Sequence, residues 1–85
     1  MDHATTSKGI EVWVNSIWKF QVFEDSHYSY LHVIGIRPSY ILVAIITNGR
    51  VEHKTSTDID FIDNTAVTPV DKYDEEIALY LLGCT

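Results

Sequence analysis

The dipeptide Asn48-Gly49 constrains this chain more than any other pair of residues. It sits between Ile-Ile-Thr and Arg-Val-Glu, and Asn-Gly between strand-forming residues is the signature of a two-residue type I′ hairpin turn. Such a turn fixes register. Thr47 is set opposite Arg50, Ile46 opposite Val51, Ile45 opposite Glu52, Ala44 opposite His53 and Val43 opposite Lys54. One face then carries Tyr40, Leu42, Ala44 and Ile46 beside Val51, His53 and Thr55, and is expected to be the main core. The other carries Ile41, Val43 and Ile45 beside Arg50, Glu52 and Lys54. Three β-branched residues beside a charged strand need a cover. Either the chain supplies it, through a C-terminal helix or the stems of Lys54 and Glu52, or a second chain does. The second case makes Ile41, Val43 and Ile45 candidate interface residues.

The same period-2 alternation runs through most of the first 62 residues. Strands are expected from Ile10 to Asn15 and from Ile17 to Val22, joined by a tight turn at Asn15-Ser16, and again over Tyr28–Ile36 and Tyr40–Thr47. Pro38 belongs in the turn between the last two, because it cannot donate to a ladder. Arg50–Thr55 completes the hairpin. A short sixth strand is expected over Asp58–Ile62, with Ile59 and Phe61 inward and Asp58 and Asp60 outward. Residues 1–8 are small and polar and read as a flexible tail, leaving 9–85 as a single domain.

After the strands the period changes. Thr68-Pro69-Val70-Asp71 combines an N-cap residue, a proline at the first helical position and a carboxylate in the first turn. Val70, Tyr73, Ile77, Tyr80 and Leu81 fall on one helical face, and Gly83 suits a helix end. A helix is expected from Pro69 to Leu82. Five or six short antiparallel strands with one C-terminal helix make an α+β, mostly β chain with a strongly bent sheet. Over roughly residues 9–63 the pattern resembles an SH3-like or Tudor-like small barrel; an open antiparallel sheet with the helix across one face is the alternative.

Charge bears on function. The 85 residues carry a formal net charge of -6. Charges balance in residues 1–50, so the whole excess lies in 51–85, on Asp58, Asp60, Asp63, Asp71, Asp74, Glu75, Glu76 and Glu52 against Lys54 and Lys72. The acidic balance argues against direct nucleic-acid binding, which needs clustered cations. No long apolar run and no basic, then apolar, leader pattern appear, so a cytoplasmic protein with no membrane role is expected.

The residues that could carry chemistry are scattered. His3, His27, His32 and His53 show none of the local pairing of metal ligands. The run Asp58–Asp63 lacks the glycine and distal glutamate of a calcium loop. Cys84, beside the expected helix end, has no framework for a base or an oxyanion donor. No phosphate-cradling glycine loop and no nucleophile elbow occur. Neither catalysis nor a cofactor or metal is therefore expected. Aromatic residues remain, and Trp13 and Tyr30 are the candidate binding anchors.

Three functions fit. The first is a non-catalytic protein-interaction module that self-associates as a homodimer, or binds a protein partner, through an apolar strand face. The second is an acidic inhibitor or nucleic-acid mimic that presents the carboxylates of residues 58–76 to a basic partner. The third is a small-ligand-binding domain with an aromatic-lined pocket reached by His32 or His53.

Overall fold

The computed structural model describes residues 2–21, 28–64 and 67–70. Among these residues seven strands and one 3₁₀ helix occur in the order β1 (His3–Thr5), β2 (Glu11–Trp13), β3 (Ile17–Gln21), β4 (Tyr28–Ile36), β5 (Ile41–Thr47), β6 (Arg50–Thr57), the 3₁₀ helix (Ile59–Asp63) and β7 (Thr68–Pro69). They make two antiparallel sheets. One is the pair β1-β2; the other has five strands in the order β6-β5-β4-β3-β7. Among the described residues the expected barrel does not close. The structure is a small, mostly β fold built on an open sheet with a second hairpin laid against it.

The Asn48-Gly49 turn forms as its sequence requires, with φ of 54° and 76°. Thr47 faces Arg50 and Ile46 faces Val51. One residue later the ladder shifts: a β-bulge sets Ile45 opposite His53, and Ala44, Val43 and Ile41 then face Lys54, Thr55 and Thr57. A one-residue slip moves every later side chain to the opposite face. Ile41, Val43 and Ile45 therefore share a face with His53, Thr55 and Thr57, and Lys54 goes to the face of Ala44.

That face holds the main core, which corrects the expectation that Tyr40, Leu42, Ala44 and Ile46 would. Ile41 and Val43 are fully buried among Leu31, Val33 and Ile36 of β4, Trp18 of β3 and Val12 of β2, with Ile62 of the 3₁₀ helix closing over them. The cover thus comes from the chain's own first hairpin and its 3₁₀ segment. On the opposite face Tyr30 and Ile46 are buried together, with Ile17 and Val70 against them.

Three further expectations change. Residues 1–8 hold β1, which pairs with β2 through Ala4 opposite Val12, so they are not a loose tail. Asn15-Ser16 does make a tight turn, with the Ser16 N–H donating to the Trp13 carbonyl, but it carries the chain from one sheet to the other and not across a hairpin. Asn15 has φ of 74° there, a backbone region that asparagine tolerates better than most residues. Asp58–Ile62 is not a strand. Asp58 caps a 3₁₀ turn by accepting from the Asp60 N–H at 2.8 Å, and local side-chain capping of this kind competes with strand pairing.

The helix expected from Pro69 does not begin there. Thr68 and Pro69 extend the sheet edge opposite Lys19 and Trp18, and the Val70 N–H donates to the Ile17 carbonyl. Proline fits this edge because an edge strand leaves one side of its backbone out of the ladder. The rest of that helix, from residue 71, lies outside the described residues.

Candidate functional site

The sheet has two unlike edges, and the candidate site follows from the longer one. β7 is two residues long, whereas β6 is eight, and its side chains from Arg50 to Ser56 are all exposed. No described strand pairs with the outer side of β6. The bulge twists this edge and gathers polar groups on its inner side, as bulges do where they re-aim side chains.

Beneath β6 lies a cavity of about 330 Å³. Its floor is Leu31, Val43 and Ile45, from the middle of the sheet. Phe20 and Phe61 wall it on the side of the 3₁₀ helix and meet edge to face, with ring centroids 5.5 Å apart at 88°. Glu52, His53, Thr55 and Thr57 of the edge strand line the remaining side. At one end Ser29 and Thr47 approach within 3.2 Å through their hydroxyls, and the Thr47 hydroxyl donates to Glu52 Oε2 at 3.0 Å. This chain of hydrogen bonds ties the Glu52 carboxylate to the end of the cavity.

A second cavity of about 350 Å³ opens beside Asn15, Ser16, Trp18, His32 and Pro69. Burial lowers the His32 pKa from its ordinary value of 6.5, because an apolar setting disfavours the imidazolium. Nearby, the Trp18 indole N–H donates to the Ser16 hydroxyl at 3.0 Å.

The expected site residues scatter. Ile41 and Val43 have no exposed surface, Ile45 is half-buried in the main core, and Tyr30 is 2% exposed. The strand face expected as an interface is therefore the inside of the molecule, because the bulge and the first hairpin turn it inward. Trp13 is exposed, and the ring of His3 stacks on it at 4.4 Å. His32 and His53 line different cavities on opposite faces of the sheet and are not brought together.

The acidic face is also rearranged. Asp60 accepts from the Ser7 N–H and hydroxyl at 2.9 and 2.6 Å, and Asp63 accepts from the Thr6 hydroxyl and, at 3.1 Å, from the Lys8 N–H. These carboxylates clasp the β1–β2 turn to the 3₁₀ helix. The Ser7 hydrogen bonds hold the Asp60 carboxyl below its ordinary 3.8. Asp58 caps the helix, and Asp71, Asp74, Glu75 and Glu76 lie outside the described residues. Among the described residues no group of three or more His, Cys, Asp or Glu could hold a metal, and no helix is long and apolar enough to cross a membrane.

Sequence reasoning missed the β6 cavity because it placed His53 and Thr55 on the face away from Val43 and Ile45, and only Glu52 on the face where the structure has it. A further signal it held was Phe61, assigned inward. Comparison with protein-family models, characterised proteins and solved structures finds no match for this chain.

Proposed function

We propose that this chain is a non-catalytic protein-interaction module that pairs with a second copy of itself along the outer edge of β6. The observation behind this reading is the length and exposure of that edge strand. An edge strand presents a row of unpaired backbone N–H and C=O groups, which a second strand satisfies. Two antiparallel copies related by a two-fold axis form a self-complementary contact. The sequence of β6 suits such a pair. Val51, Thr55 and Thr57 are β-branched, which favours extended pairing. Each copy spends its own β6 edge in this two-fold contact, so the assembly stops at two.

Sedimentation velocity tests the proposal. The wild-type chain is expected to sediment as a dimer. Val51→Lys and Thr55→Lys each add a charge to the edge, which discourages strand addition, and are expected to give monomers. A wild-type monomer at high concentration, or single variants that remain dimeric, would refute edge pairing. Both positions are exposed, so the fold survives the changes, as circular dichroism would show.

A basic partner is a second reading. It rests on Asp71, Asp74, Glu75 and Glu76, together with Asp58, since Asp60 and Asp63 are engaged by Thr6, Ser7 and Lys8. Its mark is binding that weakens steeply with ionic strength.

A further inference from the structure

The cavity under β6 differs from an ordinary packing gap in how its polar and apolar groups are divided. The floor and one wall are aliphatic and aromatic, and the hydrogen-bonding groups all come from Ser29 and one exposed strand. Its volume of about 330 Å³ lies at the small end of the range for small-molecule sites. The arrangement suits a ligand with two unlike ends.

The chemistry of the polar end selects which ligand. Glu52 is the only formally charged side chain that lines the cavity among the described residues. One of its oxygens accepts from Thr47, whose hydroxyl is itself beside Ser29. A carboxylate has about four acceptor positions, so Glu52 retains capacity for a donor from a ligand. An ammonium group gives the stronger bond, because both partners are charged.

We propose that this cavity binds a small amphiphilic amine, with a ring-sized apolar body on Leu31, Val43 and Ile45 and a protonated amine on Glu52. The bulge creates the site. Without the slip between Ile46 and Ile45, His53 and Thr55 would face away from the cavity. Binding here is independent of pairing along the outer edge of β6.

Titration of the isotopically labelled chain, followed by amide chemical shifts, tests the site. The probes are phenethylamine, phenylacetate and benzyl alcohol, which share a ring and differ in the charge of the head. Phenethylamine is expected to give saturable shifts at Val43, Ile45, Thr55 and Phe61, and phenylacetate none there. Glu52→Gln should weaken phenethylamine about tenfold, the loss of one charge-assisted hydrogen bond. Thr55→Phe fills the cavity from an exposed position and should abolish the shifts while the remaining spectrum stays folded. If phenethylamine perturbs none of these amides at millimolar concentration, or perturbs others instead, the site is refuted. Equal binding of benzyl alcohol or phenylacetate, or an unchanged affinity in Glu52→Gln, refutes the assignment of the amine to Glu52.

Discussion

β5 and β6 are the two arms of one hairpin, joined by one turn and one ladder, yet they have opposite fates. In β5 Ile41, Val43, Ala44 and Ile46 are all within 1% of complete burial. In β6 every side chain from Arg50 to Ser56 is exposed. Composition accounts for part of this, since β5 reads Ile-Leu-Val-Ala-Ile-Ile-Thr and β6 reads Arg-Val-Glu-His-Lys-Thr-Ser-Thr. Position accounts for the rest. β5 has β4 on its other side and the 3₁₀ helix across one face, whereas β6 ends the sheet. Val51 shows the difference: β-branched and opposite the buried Ile46, it is still 40% exposed. Burial in this molecule is set by a strand's place in the sheet as much as by its own alternation.

The contrast can be broken at several strengths. The largest effect is expected from Ile41→Ala in β5, which removes buried methyl and methylene groups and leaves a cavity. The loss should be about 2–5 kcal/mol in urea denaturation, a large share of the stability of so small a domain. A loss below about 1 kcal/mol would mean that this face collapses freely around the gap, and so is not the tight core described here.

The next effect concerns the clasp that covers β5. Asp63→Ala strips the acceptor from Thr6, which is 4% exposed, and from the Lys8 N–H. A cost of about 1–3 kcal/mol is expected. Hydrogen exchange should rise first in β1 and β2, which the clasp holds, and not in β6. Faster exchange in β6 alone would show that the clasp does not secure the cover.

Acid should sharpen the comparison further. His32 has a lowered pKa in the folded chain, so the unfolded chain takes up a proton first as pH falls through 6.5, and stability declines below that point. Asp60 also has a lowered folded pKa. Its contribution is complete above 3.8 and is lost as pH falls through the lowered value. Thermal unfolding followed against pH should therefore show two declines on the acid side. His32→Asn removes the upper one and Asp60→Asn the lower. An upper decline that persists in His32→Asn would assign it to another group. The smallest effect is expected for Thr55→Ala in β6, within about 0.5 kcal/mol of wild type, because an exposed edge residue has little packing to lose.

The extended elements from β2 to β6 were legible because their signals are local. Tyr28–Ile36 forms as expected, Tyr40–Thr47 differs by one residue, and the Asn48-Gly49 turn adopts positive φ at both positions. The candidate site was not legible. It depends on a bulge two residue pairs beyond a correctly placed turn, and the hydrophobic pattern offered no means to locate it. The register read from the turn was right for two pairs and wrong for the rest. Residues 1–8 were misread for a different reason. Thr6 and Asp63 are 57 residues apart, and neither carries a mark of the other.

The sequence by itself determined the extended segments of β2 to β6 and the turns at Asn15-Ser16 and Asn48-Gly49, because dihedral preference and side-chain alternation act over a few residues. It also determined that the acidic excess belongs to the second part of the chain. Only the tertiary structure decided which face of the hairpin is inside, that Asp60 and Asp63 serve the N-terminal turn, and that β6 is left as an edge beside a cavity. Those outcomes depend on contacts between distant segments, where the burial of one face and the satisfaction of two carboxylates are settled together.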